Sequence, residues 1–216
     1  MAQCLLAAAD APPRLEITET QHQEFPAGGE LDVKHLAGEL TIEGWDRPEL
    51  EITTVKYTPE EYTGKDREKA SKLLQETHVT AARNGDRVVV ETSGPKHSRF
   101  LLLTFGIRVD VDYRIKVPRS ARLVVNHRSG EVHIIDVDGD IRASARDGLI
   151  TLMLPPKGQY AIDASSTVGD VYSDFPGAKH DKSWRFSHSF TDSNQSAAHK
   201  LYLRIKFGDI MIGKDQ

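Results

Sequence analysis

The sequence predicts an all-β domain: a β-helix or solenoid-like stack of short strands with glycine turns, plus one accessory helix. Three observations carry this. A glycine phrase recurs, apolar residues alternate on both sides of it, and one stretch between two strands changes to helical spacing. Written from its glycine, the phrase has apolar residues at −7, −5, +2 and +4. Leu31, Val33, Gly38, Leu40 and Ile42 fit it, as do Leu123, Val125, Gly130, Val132 and Ile134. Overlapping copies follow at Gly139 (Ile141, Ala143) and Gly148 (Ile150, Leu152), then at Gly169 (Ile162, Ala164, Val171) and Gly208 (Leu201, Leu203, Ile210, Ile212).

Alternation of period two marks a half-buried strand. The residues between position −5 and the glycine are polar or small and hold a turn, where glycine admits a positive φ. The next residue is acidic in five copies, Glu39, Glu131, Asp140, Asp170 and Asp209, and Leu149 is the exception. Two geometries satisfy this unit, an antiparallel meander and a parallel coil. Gly130 and Gly148 lie 18 residues apart, Gly148 and Gly169 lie 21, and Gly169 and Gly208 lie 39, close to two coils. That arithmetic favours coils of about 18–20 residues.

The remaining elements follow in chain order. Residues 1–14 read as a tail or the remnant of a signal peptide: Leu5 to Ala9 is apolar and Ala9-Asp10-Ala11 has the form of a cleavage site. A single domain then runs over 15–216. Residues 49–57, 86–92 and 107–117 alternate as strands. A helical insertion occupies about 59–77, with the helix at about 65–76. There Thr63 and Asp66 have capping-box spacing, and Ala70, Leu73 and Leu74 form one apolar face. Such a helix would lie over an edge or end of the β structure and hide unpaired strand groups. Residues 176–200 read as a long loop or a divergent coil.

Composition narrows the function. Lys plus Arg number 28 against 32 for Asp plus Glu, giving a net charge of −4 and no basic footprint for nucleic acid. The single cysteine, Cys4, permits neither an intrachain disulfide nor a cysteine metal site. No run reaches the ~20 apolar residues of a membrane span.

The stretches "GELDVKHLAGELTIEGWDRPELEI", "YRIKVPRSARLVVNHRSGEVHIIDVDGDI" and "GDIMIG" resemble the bacterial putative-adhesin family of β-solenoid envelope domains. In that family a strand ending in Val-Pro, here Val117 and Pro118, leads into successive glycine-acid-apolar turns. The resemblance covers roughly Leu15 to Gly213. It implies a β-helix-like fold in a protein facing the cell envelope, outside the cytoplasm, and brings no catalytic motif.

Chemical motifs are sparse. Asp136, Asp138, Asp140 and Asp147 brush against a calcium loop, but Ile141 stands where that loop needs glycine. His127 and His133 are separated by the Gly130 turn and do not share a strand face. No metal or cofactor is expected. Asp163, Asp170 and Asp174, with Arg142 and Arg146, are the groups a glycan-cleaving β-helix enzyme would use, yet acids after turn glycines ordinarily serve turn geometry. Two stretches could form a binding surface. The Arg99 to Phe105 run is largely apolar, and Lys182 to Phe190 interleaves Trp184, Phe186 and Phe190 with Arg185 and His188. The expected function is a non-enzymatic envelope surface, scaffold or adhesion module that contacts a protein or glycan through Trp184, Arg185, Phe186, His188 and Phe190. The alternatives are a carbohydrate-active enzyme and an envelope-stress regulatory domain acting by protein contacts.

Overall fold

The computed structural model describes residues 14–94, 103–104, 106–156, 158–182, 187–192, 194 and 196–215. In chain order the elements are β1 (Glu16–Glu24), β2 (Glu30–Ala37), β3 (Leu40–Trp45), β4 (Glu49–Tyr57), α1 (Gly64–Glu76), β5 (His78–Asn84), β6 (Arg87–Ser93), β7 (Leu103–Thr104) and β8 (Ile107–Arg108). Then come β9 (Asp110–Pro118), β10 (Arg122–Ile135), β11 (Ile141–Leu154), β12 (Tyr160–Val168), β13 (Val171–Ser173), β14 (Ala178–Lys182), β15 (Ser187–Asp192) and β16 (His199–Lys214).

The repeat folds as parallel rungs. β10 pairs in parallel with β11, and β11 with β16, each phrase position meeting the same position of its neighbour: Leu123 beside Ile141 beside Leu201, and Val132 beside Ile150 beside Ile210. The strands β10, β11 and β16 each pass through their glycine without a break, so one long strand supplies two legs. Legs before the glycine form a first wall in the order β5-β6-β2-β10-β11-β16-β12-β15-β14. Legs after it form a second wall in the order β1-β4-β9-β3-β10-β11-β16-β13. The inward side chains of both walls share one core. Parallel pairing of every glycine-bearing rung settles the geometry in favour of coils.

The stacking order is a finding beyond the sequence, and one sequence expectation needs correction. The rungs do not stack in chain order, because β16 lies between β11 and β12. Gly139 also stands apart from the other five glycines. Gly38, Gly130, Gly148, Gly169 and Gly208 have φ between +119° and +137° and form one corner. Gly139 lies in the link between β10 and β11, half a coil away. What holds it there is close approach, since a Cβ would sit 2.0 Å from the Ala121 carbonyl oxygen. The nine-residue spacing of the phrase is therefore half of an 18-residue coil.

Carboxylates at the glycine corner have a local use. Between β2 and β3, and between β12 and β13, the corner interrupts the strand and frees backbone N–H groups. Asp209 Oδ1 accepts from the Asp170 N–H at 2.7 Å, and Asp112 Oδ1 accepts from the Glu39 N–H at 2.8 Å.

The helix runs from β4 in the second wall to β5 in the first, and it buries Ala70, Leu73 and Leu74 in the shared core. Thr63 occupies the N-cap position but its side chain makes no cap bond, and Asp66 pairs with Lys69 instead. At the other helix end the buried Lys56 ammonium donates to the Thr77 carbonyl at 3.1 Å and meets Glu19 at 2.9 Å. A cation there suits the negative end of the helix dipole. Residues 176–200, read from sequence as a loop or divergent coil, contain the antiparallel hairpin of β14 and β15.

The core fixes the register. Val132, Ile134, Ile141, Ile150 and Leu152 are all at most 1% exposed. Ile150→Ala is expected to cost ~2–5 kcal/mol in urea melts, the range for emptying a packed aliphatic site. A loss below about 0.5 kcal/mol, the scale of an exposed substitution, would contradict this register.

Candidate functional site

At one end of the stack the two walls are unequal. The second wall stops at β13, while the first continues through β15 and β14. Among the described residues no strand stands opposite the inward side chains of that overhang. His188 pairs with Ser166 and Phe190 with Ala164, both inward positions, and Lys179 lies beside Phe190. Phe190 is nearest the core and fills it at 2% exposure, against the face of Gly177. The expectation that Phe190 is a contact residue is therefore corrected: it closes the core.

His188 and Lys179 face a groove of about 190 Å³, lined also by Asp170, Val171, Tyr172 and Ser189. His188 Nδ1 lies 3.1 Å from Asp170 Oδ1, and the Lys179 ammonium sits 5.1 Å from the centre of the Tyr172 ring. The Asp170 carboxylate raises the Tyr172 phenol above its ordinary pKa. Tyr172 is 49% exposed, and its neighbour across the ladder, Met211, is 47% exposed. The Asp170–His188 pair has the first two members of a nucleophilic triad. The nearby hydroxyls point elsewhere, however: Ser187 Oγ donates to the Ser166 carbonyl and Ser189 Oγ to the His180 carbonyl. Trp184, Arg185 and Phe186 lie outside the described residues, as does most of the Arg99 to Phe105 run.

Three of the other candidate carboxylates are engaged structurally. Asp136 pairs with Arg119 at 2.7 Å, and Asp140 accepts the Lys200 N–H at 2.8 Å. Asp163 is held by Arg204 at 2.7 Å. Among the described residues no three His, Cys, Asp or Glu side chains come together as a metal-binding group. His127 does not approach His133, which pairs with Glu131 at 3.1 Å.

His127 has instead a partner that the sequence reading missed. It stands three residues before its glycine, as His35 does, and the two rings meet on adjacent rungs inside the core, with Nδ1 atoms 3.0 Å apart. Tyr113 packs on His35 at 4.5 Å between ring centres. His35 Nε2 lies 2.5 Å from the Val111 carbonyl oxygen. Burial pushes both imidazoles down to about 4, and for His35 the Val111 carbonyl opposes that shift without overcoming it. Aligning the copies on their glycines and reading position −3 would have shown two histidines in one column.

The fold thus defines a β-solenoid-like domain with a glycine corner, a shared apolar core and, among the described residues, an end at which the first wall outruns the second. It belongs to the Toastrack DUF4097 family, whose model matches residues 16–213. No curated protein matches the chain in sequence. Among solved structures, a putative cell adhesion protein from Clostridium sporogenes aligns at 13% identity and a TM-score of 0.49, over 92% of this chain and 100% of that one. A putative adhesin from Bacteroides fragilis aligns at 11% identity and a TM-score of 0.23, over 91% and 97%. A putative lipid binding protein from Parabacteroides distasonis aligns at 8% and 0.24, over 92% and 97%. Family membership rests on the match over residues 16–213 and not on these likenesses. Among the described residues no helix is long and apolar enough to cross a membrane.

Proposed function

We propose that this domain is a non-enzymatic binding module of the cell envelope that holds a protein or glycan partner at the open end of its stack. The supporting observation is the unequal length of the walls. It leaves the exposed Tyr172 ring, a cation and a carboxylate–imidazole pair around one groove, with the exposed Met211 beside it. Aromatic faces stack on sugars and on protein side chains alike, and the charged groups set orientation. The apolar run from Leu5 to Ala9 followed by Ala9-Asp10-Ala11 supports an extracytoplasmic location.

The test is a binding screen against glycans and envelope fractions with the wild type and with Tyr172→Ala combined with Lys179→Ala. Binding is expected to fall about tenfold or more, the scale of losing one central aromatic contact. Trp184→Ala with Phe186→Ala extends the test to the adjoining stretch. Binding untouched by all four substitutions removes the open end from the reading. Turnover of any polysaccharide overturns the non-enzymatic assignment.

A further inference from the structure

The outer face of the first wall has a charge pattern that the end groove does not use. Arg128, Arg146 and Lys206 each stand two residues before their glycine, on the consecutive rungs β10, β11 and β16. The flanking register, His127 beside Ala145 beside Ile205 and Ser129 beside Asp147 beside Phe207, puts the three in one column. Neighbouring rungs are about 4.8 Å apart, so three like charges repeat at that interval. Like charges directly across a ladder are destabilising. This chain has a net charge of −4 and ample carboxylates to neutralise them. Yet among the described residues neither Arg128 nor Lys206 has a carboxylate partner, and Arg146 reaches Asp147 only at 3.6 Å.

The same face continues the pattern. Arg142 has no carboxylate partner among the described residues and lies 5.4 Å from the Tyr202 ring, on which Arg204 also packs at 3.7 Å. The carboxylates nearby are already held: Asp163 by Arg204 and Glu91 by Lys34, while Asp147 accepts from Ser129. Between and beside the cations stand large apolar side chains open to solvent. Leu36, Tyr202 and Phe207 are 41–42% exposed. The face is a sheet, so its cations spread in two directions over several rungs and do not follow one line. That arrangement complements a plane of anionic headgroups better than a single polyanionic strand. Exposed Tyr, Phe and Leu side chains supply the apolar contact which, added to a basic patch, makes peripheral attachment stable.

We propose that the outer face of the first wall docks on an anionic lipid bilayer, with Arg128, Arg146 and Lys206 against the phosphates and Tyr202 and Phe207 at the headgroup boundary. This contact is separate from the groove at the open end, which stays free to hold its own partner.

The experiment is co-sedimentation of the whole chain with vesicles of phosphatidylglycerol and phosphatidylcholine in equal parts, beside vesicles of phosphatidylcholine alone. The expected result is binding to the anionic vesicles only, weakened by high salt. Arg128→Gln/Arg146→Gln/Lys206→Gln should bind roughly a hundredfold more weakly, the combined contribution of three surface cations. Its circular dichroism should match the wild type. If that triple variant fails to fold, Lys206→Glu alone tests the same column. Arg114→Gln, on the outer face of the second wall, should bind as the wild type does. Equal binding to neutral vesicles, undiminished binding by the triple variant, or equal loss with Arg114→Gln each overturns the proposal. Soluble polyphosphate that binds as tightly as the vesicles, at matched phosphate, would show that the face reads a polyanion and not a bilayer.

Discussion

Gly148→Ala is expected to cost more than about 4 kcal/mol, enough to unfold a domain of ordinary stability. Two separate penalties meet at this position. Its φ is +121°, a conformation that costs a residue with a Cβ on the order of 1–3 kcal/mol. The new Cβ would also lie 1.8 Å from the Gly130 carbonyl oxygen and 2.7 Å from its carbon, both backbone atoms of the rung beside it. Those atoms cannot turn aside as a side chain does. Relief requires β10 and β11 to separate, and their pairing runs on both sides of the corner. The corner is equally tight along the stack: a Cβ on Gly208 would lie 1.8 Å from the Gly148 carbonyl oxygen, and one on Gly169 would lie 2.1 Å from that of Gly208. Gly85→Ala separates the two penalties. Gly85 has φ +65° with no atom within 4 Å of an added Cβ, so it should lose only the conformational part. Urea or thermal melts of the two variants decide the matter. Equal losses would mean that the corner is looser than its geometry requires.

The glycine ladder also shows what a repeat makes legible and what it leaves out. Each copy declares which of its residues face inward, since alternation and the glycine together fix the phase. Parallel rungs of identical phrase then pair position for position. Leu123, Ile141 and Leu201 fall in one row for that reason. The order of the rungs is different in kind. All copies offer the same edge, so nothing local tells β11 to accept β16 and not β12 as its neighbour. Gly139 was legible as a glycine that must be a glycine, but not as one on the far side of the coil. Phe190 sits among polar residues, and only its pairing with Ala164 turns it inward. The groove depends on the difference in length between two walls, a quantity no single phrase carries. The histidine and cation columns lay closer to view, at positions −3 and −2 of the aligned copies.

The histidine column leads to the second large effect: stability should fall as the pH drops from about 6.5 to about 4. The donor and acceptor roles follow from the contacts. His35 Nε2 faces a carbonyl and must donate to it, so its Nδ1 accepts from His127 Nδ1–H. Both rings are then neutral, and His127 Nε2 is left as a buried acceptor with no hydrogen-bond partner among the described residues. The Gly130 and Ser129 carbonyls and the Asp147 carboxylate favour a proton on His127, but burial outweighs them and its pKa stays near 4. In the unfolded chain a histidine titrates near 6.5. Above that value neither state carries the proton, and the pair adds no pH dependence. Between about 6.5 and 4 the unfolded chain binds protons that the folded one excludes, so acid favours unfolding. Below about 4 both states are protonated and the loss levels off. At pH ~4.5 each independently titrating histidine accounts for about 2.5 kcal/mol, and coupling between the two rings redistributes that sum. Many carboxylates titrate in the same range, so the measurement is a comparison. Urea midpoints of the wild type and of His35→Gln/His127→Gln, taken from pH 7.5 down to 4.5, should converge as the wild type loses stability faster. Imidazole resonances of His35 and His127 should stay at their neutral positions down to about pH 5. Parallel stability curves, or a ring that titrates near 6.5 in the folded protein, would mean that the pair is not held neutral by the core.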